Sequence, residues 1–461
     1  MKGYRSQKLE VRLSPLSTHT PTPHTQLPTP NSPSPRLPWW LRLFSFVFLS
    51  GCLFFCSGCQ LSSSSDANQI ELTLWHGINP PPNRDIFQTL VDEFNQTHPN
   101  IHVTPLYIGQ PDQQLPKILT AVVGNAPPDI LWYNPMITGQ LVELDAIQPL
   151  ENWLNDASVK AEIDPALFES MELNGHTWSV PMAVNNAAIF YRPSLFKKAG
   201  ITQLPLTWEE FRQTAQKLTQ DLDGDGNIDQ HGMLLSLGKG EWTVFTWLPF
   251  MYSANGELIE DHQVNLINKG AIAALQFWSD LIQDGSAILS APERGYEQDQ
   301  FIQGKVAMQI TGPWTLGYLA AENIDYGVMP IPVADVPAAV TGGEHLFVMK
   351  TSPQQQAAAA EFLQYVLSEP FQTQWSLGTG YLPVNLKARQ SPTYQEFLKK
   401  QPVLEVFLKQ MTWARSRPMI AGYSRISENL GRAIEATLLG GSPKQSLRQS
   451  QKRINLMFNR S

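Results

Sequence analysis

The stretch from Asp221 to Asp229, reading DLDGDGNID, carries the chain's one metal-binding pattern. Asp221, Asp223, Asp225, Asn227 and Asp229 set side-chain oxygens at alternate positions with Gly226 at the sixth, the opening of an EF-hand loop for Ca²⁺. The twelfth position, where such loops carry a bidentate Glu, is Gly232. The segment therefore reads either as a structural calcium site completed from elsewhere or as a solvated acidic turn, and no cofactor is required. His98 and His102 have the spacing of a helical metal pair, but Pro99 and Asn100 between them break the helix. The sequence holds no phosphate-cradling glycine loop, zinc-protease helix or nucleophile elbow. Carboxylates are numerous enough for a glycosidase pair, yet no two stand out, and no catalytic residue is assigned.

What remains is binding chemistry. Of the 13 tryptophans, Trp75, Trp247 and Trp278 fall within apolar patterns and read as core. Trp242, after Gly240-Glu241, and Trp314, after Gly312-Pro313, stand where a loop presents a ring face. Sugars offer C–H faces to rings and hydroxyl edges to amides, carboxylates and cations, so this mixture suits a polyol. Asn185-Asn186 is the second signal, two amides between apolar segments. Buried amides are costly unless paired, so the pair marks either a surface turn or a crossing between two lobes that faces a cleft.

The elements that must position these residues follow from periodicity. Glu71–Trp75, Ile101–Ile108 and Ile130–Tyr133 read as strands. Between them lie helical faces at Ile86, Phe87, Leu90, Val91 and Phe94, and at Leu115 to Val123. A β-α-β-α-β rhythm means an α/β sheet with helices on both sides. Ligands sit beyond the carboxyl ends of such strands, which points to His76 and Asn79 and to Tyr133 and Asn134. Asn174-Gly175 predicts a hairpin turn, Ala187 to Tyr191 a buried strand, and Thr207 a helix N-cap. A stripe from Ile272 to Ile282 predicts a helix, Val306 to Ile310 a strand, and Ala357 to Leu367 a helix stopped by Pro370. Ser427–Leu438 and Pro443–Phe458 close the chain as helices.

At 461 residues the chain exceeds one ordinary core, so two lobes are expected. Residues 60–461 hold 27 basic and 40 acidic side chains, a balance that argues against nucleic acid as a partner. Cys52, Cys56 and Cys59 are the only cysteines, which excludes disulfides, thiolate zinc and cysteine nucleophiles from the body. Residues 1–38 are Pro/Ser/Thr-rich and expected to be disordered. Arg36 and Arg42 then precede an apolar run, Leu43 to Cys56, of signal-peptide length. Two lipoprotein-type sites follow, ending at Cys52 and at Cys59. Cys59 is favoured as the lipidated residue because a full apolar region precedes it and the polar tether QLSSSSDANQ follows. An uncleaved anchor helix is the alternative; both leave the body exported and tethered.

From about Ile70 onward the chain resembles the extracellular solute-binding proteins of ABC sugar importers, the maltose- and glycerol-3-phosphate-binding class. The matching segments are Ala126 to Ile130, Asn174 to Tyr191 with Phe196 to Gly200, Thr207 to Phe211, Phe301 to Met308, Gly312-Pro313-Trp314 and Thr379 to Pro383. The resemblance implies an α/β fold of two lobes joined by a multi-strand hinge around a ligand cleft. A leader with signal peptide (1–59) and a tether (60–69) would precede a first lobe of 70–184 with 343–380 and a second of 185–342 with 381–461. By position it places ligand contacts at His76, Asn79, Tyr133, Asn134 and Asn185. Across the cleft it places them at Trp242, Trp314, Gly343, Glu344, Tyr381, Tyr423 and Arg425. It further implies a non-enzymatic monomer, lipid-anchored at the periplasmic face of the cell membrane, that closes on a sugar or polyol and docks on ABC permease subunits. The hinge position that is commonly acidic in the family is Asn185 here, which argues against an acid-dependent, maltose-like recognition. Within the family the chain looks most similar to binders of compatible solutes such as glucosylglycerol, sucrose and trehalose. Glycerol-3-phosphate or its diesters, with Arg425 as phosphate partner, an exported glycoside-processing enzyme, and an adhesive envelope lipoprotein are the rival readings.

Overall fold

The computed structural model describes residues 69–458 except 80, 157, 261–262 and 292–297; the leader and Cys59 lie outside them. The strands of two five-stranded sheets are, in chain order, β1 (Ile70–His76), β2 (Ile101–Tyr107), β3 (Ile130–Tyr133), β4 (Val180–Pro181), β5 (Ala188–Tyr191), β6 (His231–Leu235), β7 (Ala287–Leu289), β8 (Val306–Thr311), β9 (Gly327–Met329) and β10 (His345–Val348). The principal helices are α1 (Pro81–Thr97), α2 (Pro111–Val123), α3 (Trp208–Leu218), α4 (Glu241–Ser253), α5 (Lys269–Gln283), α6 (Pro353–Leu367), α7 (Glu369–Thr379), α8 (Leu404–Gln410), α9 (Tyr423–Leu438) and α10 (Pro443–Phe458). Among the described residues no helix is long and apolar enough to cross a membrane.

The first sheet runs β2-β1-β3-β10-β4, with β1 parallel to β2 and β3, and β10 antiparallel to both its neighbours. The second runs β7-β6-β8-β5-β9, where β5 is the antiparallel member between β8 and β9. β3 is buried at all four positions, as a strand covered on both faces must be. α1 turns Phe87, Leu90, Val91 and Phe94 inward, at the spacing expected of one helical face. α4 is apolar all round and buried from Thr243 to Ser253, which makes it the centre of the second lobe. The Asn174-Gly175 hairpin forms with both φ values positive. Thr207 caps α3 through a reciprocal capping box with Glu210, which satisfies two donors at that end.

Two expectations change. Pro370 does not stop a helix. Ser368 ends α6 and simultaneously caps α7, accepting from the Phe371 amide, and Pro370 occupies the first turn of α7, where its missing N–H costs nothing. The expected boundary at 381 also falls too early. Leu382 donates its amide to Val184, Asn385 and Lys387 bond Glu162, and Arg389 bonds Asp164. The stretch 382–389 is thus bonded to the first lobe, α8 bonds Asn186, Ala187 and Ile331 at the hinge, and the chain lies on the second lobe by α9. There α9 and α10 pack together, with α9 also on α4 and α5.

Candidate functional site

Three chain crossings join the lobes, and they are hydrogen-bonded to one another. Asn185 donates its amide to Gly342 at 3.1 Å, and Gly342 returns the bond at 2.8 Å. Ala339–Val340 runs parallel to Ala414–Arg415. Asn186 is fully buried and paired: its Nδ2 donates to the Phe407 carbonyl at 3.0 Å, and Gln410 Nε2 donates to its Oδ1 at 2.7 Å. Gln410 also reaches the Ala187 carbonyl and accepts from the Ile331 amide. The second amide of the Asn185-Asn186 pair is therefore a hinge pin at a chain crossing, and neither amide is on the lining of the cavity beside the hinge. Gly343, at φ +114°, is required here, because a Cβ would lie 2.2 Å from the Ala183 carbonyl oxygen.

Beside the hinge the lobes border an open cavity of about 390 Å³. The first lobe contributes Tyr133 and Asn134, from the carboxyl end of β3, with Gln140. The second contributes Lys239 to Glu241 at the start of α4, and Tyr423, Arg425 and Ser427 at the start of α9. Both helices open on glycine N-caps, Gly240 and Gly422, with no side chain bonded to their first amides, so their positive ends face this space. Glu241 organises the wall, accepting from Arg417 Nη1 at 2.5 Å, from the Tyr423 hydroxyl at 3.1 Å and from Ser427.

An aromatic row continues from the cavity across the lobe boundary. Trp242 lies 5.9 Å from Phe245 and, edge-to-face, 5.9 Å from Trp314. Trp314 lies 6.2 Å from Tyr381, and Tyr381 lies 5.7 Å from Trp375. Glu344 stands next to this row. Burial pushes its carboxyl up to about 7 against the pull of the Arg417 cation, and burial, with the Glu344 charge second, raises the Tyr381 phenol. Gly380 lets the lobes meet: its φ is +80°, and a Cβ there would lie 2.6 Å from the Pro313 carbonyl oxygen.

Of the residues singled out in the sequence, Tyr133, Asn134, Tyr423 and Arg425 line the cavity, and Trp242, Trp314, Tyr381, Glu344, Gly343 and Asn185 form the adjoining row and hinge. His76 and Asn79 are not brought to the cavity lining. His76 is 5% exposed, packs edge-on to Phe87 at 5.4 Å, and accepts from the Ile78 amide through Nδ1. Burial and the nearby Arg84 charge lower it to about 4, so it is a neutral packing residue. Asn79 caps the Asn83 side chain through its carbonyl. Arg417, Glu241 and Lys239 were not anticipated. Nothing local marks Arg417 among 33 basic residues; only its burial, at 7% exposure, sets it apart. Gln114 was also missed: it is fully buried over Gly77, with neither amide atom bonded.

In the acidic loop, ligand oxygens of Asp221, Asp223 and Asp225 come within 4.8 Å of one another. Asp229 does not join them; its Oδ2 accepts from the Leu222 amide, and Asn227 bonds Asp225. Amides of Gly224 and Gly226 donate to Asp221 and hold its pKa below the usual carboxylate range.

Comparison with known proteins agrees with this geometry. Residues 89–400 match the family model for bacterial extracellular solute-binding proteins. The sn-glycerol-3-phosphate-binding periplasmic protein UgpB of Yersinia pseudotuberculosis is 24% identical over 428 residues, spanning 88% of this chain and 96% of its own. The cyclic alpha-maltosyl-1,6-maltose binding protein from Arthrobacter globiformis matches with a TM-score of 0.72 at 25% identity, over 85% of this chain and all (100%) of that one. UgpB from Mycobacterium tuberculosis, in complex with glycerophosphocholine, shares the fold with a TM-score of 0.74 at 20% identity, over 85% and 98%. Two α/β lobes, a hydrogen-bonded hinge and a cavity between them are thus accompanied by a match across most of the chain, which belongs to the bacterial extracellular solute-binding protein family.

Proposed function

We propose that this chain is the lipid-anchored binding component of an ABC importer for sugars or sugar-like compatible solutes such as glucosylglycerol, sucrose or trehalose. The observation that carries the reading is the aromatic row of Trp242, Trp314 and Tyr381 set against buried polar groups at Glu344 and Arg417. Rings take the C–H faces of a sugar, and the polar groups take its hydroxyls. Ligand held by both lobes favours the closed form and shifts the population toward it, and the closed form is what a permease would receive. No chemistry is performed on the solute. Anchoring at the periplasmic face rests on the signal-like run ahead of Cys59.

A second reading, a glycerol-3-phosphate or phosphodiester binder, is favoured by one feature: Lys239 and Arg425 line the cavity between two helix N-termini, which attract anions. A thermal-shift screen with glucosylglycerol, sucrose, trehalose, maltose and glycerol 3-phosphate separates the two, because a ligand bound only by the native state raises its melting temperature. A shift with a neutral sugar is expected. A shift with glycerol 3-phosphate alone would replace the first reading by the second, and hydrolysis of a disaccharide by the purified protein would overturn both.

A further inference from the structure

The last helix, α10, carries a charge unlike the body around it. Lys444, Arg448, Lys452 and Arg453 are its ionisable side chains, with no acid among its 16 residues, whereas residues 60–461 hold 27 basic and 40 acidic side chains. Its inward face is fixed. Ser446, Leu447, Ser450 and Ile454 are buried, the helix packs on α9 and α5, and Gln451 accepts from the Leu266 amide at 2.7 Å and donates to the Val264 carbonyl at 2.9 Å. The outward face is left with a ridge at i, i+4 spacing. It runs through Lys444, Arg448 and Lys452, all exposed, to Leu456, which is 52% exposed, with Met457 beside it at 37%. Arg453 is exposed as well. Among the described residues none of these four cations forms an ion pair, whereas Arg432 on neighbouring α9 is bonded to Glu428 at 2.7 Å.

Like charges at that spacing repel one another, and a dense anionic surface relieves the repulsion. We propose that the outward face of α10 docks on a bilayer bearing anionic phospholipids. The cations take head-group phosphates, and Leu456 and Met457 enter the boundary between head groups and acyl chains. An acidic protein would meet the same charges, but the bare apolar end of the ridge favours lipid. The chain also has a reason to be at such a surface. On the reading that Cys59 carries lipid, the ten residues 60–69 span at most about 35 Å, so the body stays within reach of the membrane. The docking is electrostatic and reversible, because the helix keeps its buried side in the protein and salt screens the rest. The acidic excess elsewhere on the body is repelled by the same lipids, so α10 decides which side of the second lobe turns to them.

The test mixes the full chain with vesicles of phosphatidylcholine, or of phosphatidylcholine with phosphatidylglycerol, and follows lysine acylation residue by residue by mass spectrometry. Lys444 and Lys452 are expected to be labelled several-fold more slowly on the anionic vesicles, and high salt is expected to abolish the difference. Lys198 and Lys399, exposed elsewhere, are the internal reference and are expected to label equally on both. R448Q/R453Q keeps both reporting lysines and is expected to lose on the order of tenfold in affinity for anionic vesicles, with its unfolding midpoint confirming that it folds. Because the readout compares lipid compositions at particular lysines, it depends neither on the anchor nor on solute binding in the cleft. Equal labelling of Lys444 and Lys452 on the two kinds of vesicle would overturn the proposal. Protection spread evenly over Lys198 and Lys399 would remove α10 as the docking face, and protection by soluble poly-glutamate with none by anionic vesicles would replace the bilayer by an acidic protein.

Discussion

Replacing Glu344 by Gln is expected to stabilise the unliganded protein above neutrality and to leave it unchanged in acid. Burial lifts this carboxyl from its ordinary 4.5 to about 7. Native protein therefore keeps a proton on Glu344 across a range in which the unfolded chain has released it. Stability falls with rising pH wherever the native state binds more protons than the unfolded one. The contribution is fully present below pH 4.5, declines from there, and is gone once pH passes about 7. At roughly 1.36 kcal/mol per pH unit, the accumulated loss is about 3 kcal/mol. An amide does not titrate, so E344Q escapes it. Urea unfolding of both proteins at a series of pH values measures the difference directly. Carboxylates held low elsewhere, such as Asp284 and Asp325, act on both proteins alike and cancel, since distant sites add. A difference that is flat with pH, or that grows toward acid, would refute the reasoning and show Glu344 ionised throughout.

Four further outcomes are expected. Trp314→Ala should weaken binding of the neutral ligand by about 2–4 kcal/mol, as loss of a central aromatic anchor does, while leaving the melting temperature near wild type; fluorescence titration checks it, and undiminished affinity would remove Trp314 from the site. Gln410→Leu strips partners from Asn186 and the Ile331 amide together and should cost about 3 kcal/mol, since each buried group left unpaired costs roughly 1–3 kcal/mol; urea midpoints read it. Gly380→Ala combines a left-handed backbone, worth roughly 1–2 kcal/mol, with a Cβ driven toward Pro313. It should lower the melting temperature and widen the mean lobe separation seen by small-angle scattering. Calcium should raise the melting temperature through Asp221, Asp223 and Asp225, an effect abolished in D223N/D225N; no shift would return the loop to a solvated acidic turn.

The lobes were legible because their signals are local. β3, α10 and the Asn174-Gly175 hairpin were read at or near their observed bounds from apolar periodicity and turn chemistry. Pro370 was misread because a proline reports only that it has no amide to donate, and a first helical turn satisfies that as well as a helix end does. The stretch 382–389 was misplaced because its allegiance is written in long-range bonds to Glu162 and Asp164, which no window of sequence contains. The site divided in the same way. Trp242, Trp314 and the Asn185-Asn186 pair stood out by type and setting. Arg417 and Glu241 matter through each other, 176 positions apart in the chain. His76 was drawn in by its place at the end of β1, but its ring packs inward on Phe87.

The interleaving of the two sheets bears on the order of assembly. β10 lies between β3 and β4, so a nascent chain synthesised as far as β9 still lacks an interior strand of its first sheet, and the exposed edges of β3 and β4 must wait for residues 345–348. The amino-terminal half cannot complete itself during synthesis, and such long-range pairing is slow. That delay leaves the edges of β3 and β4 open until residues 345–348 arrive to close the sheet.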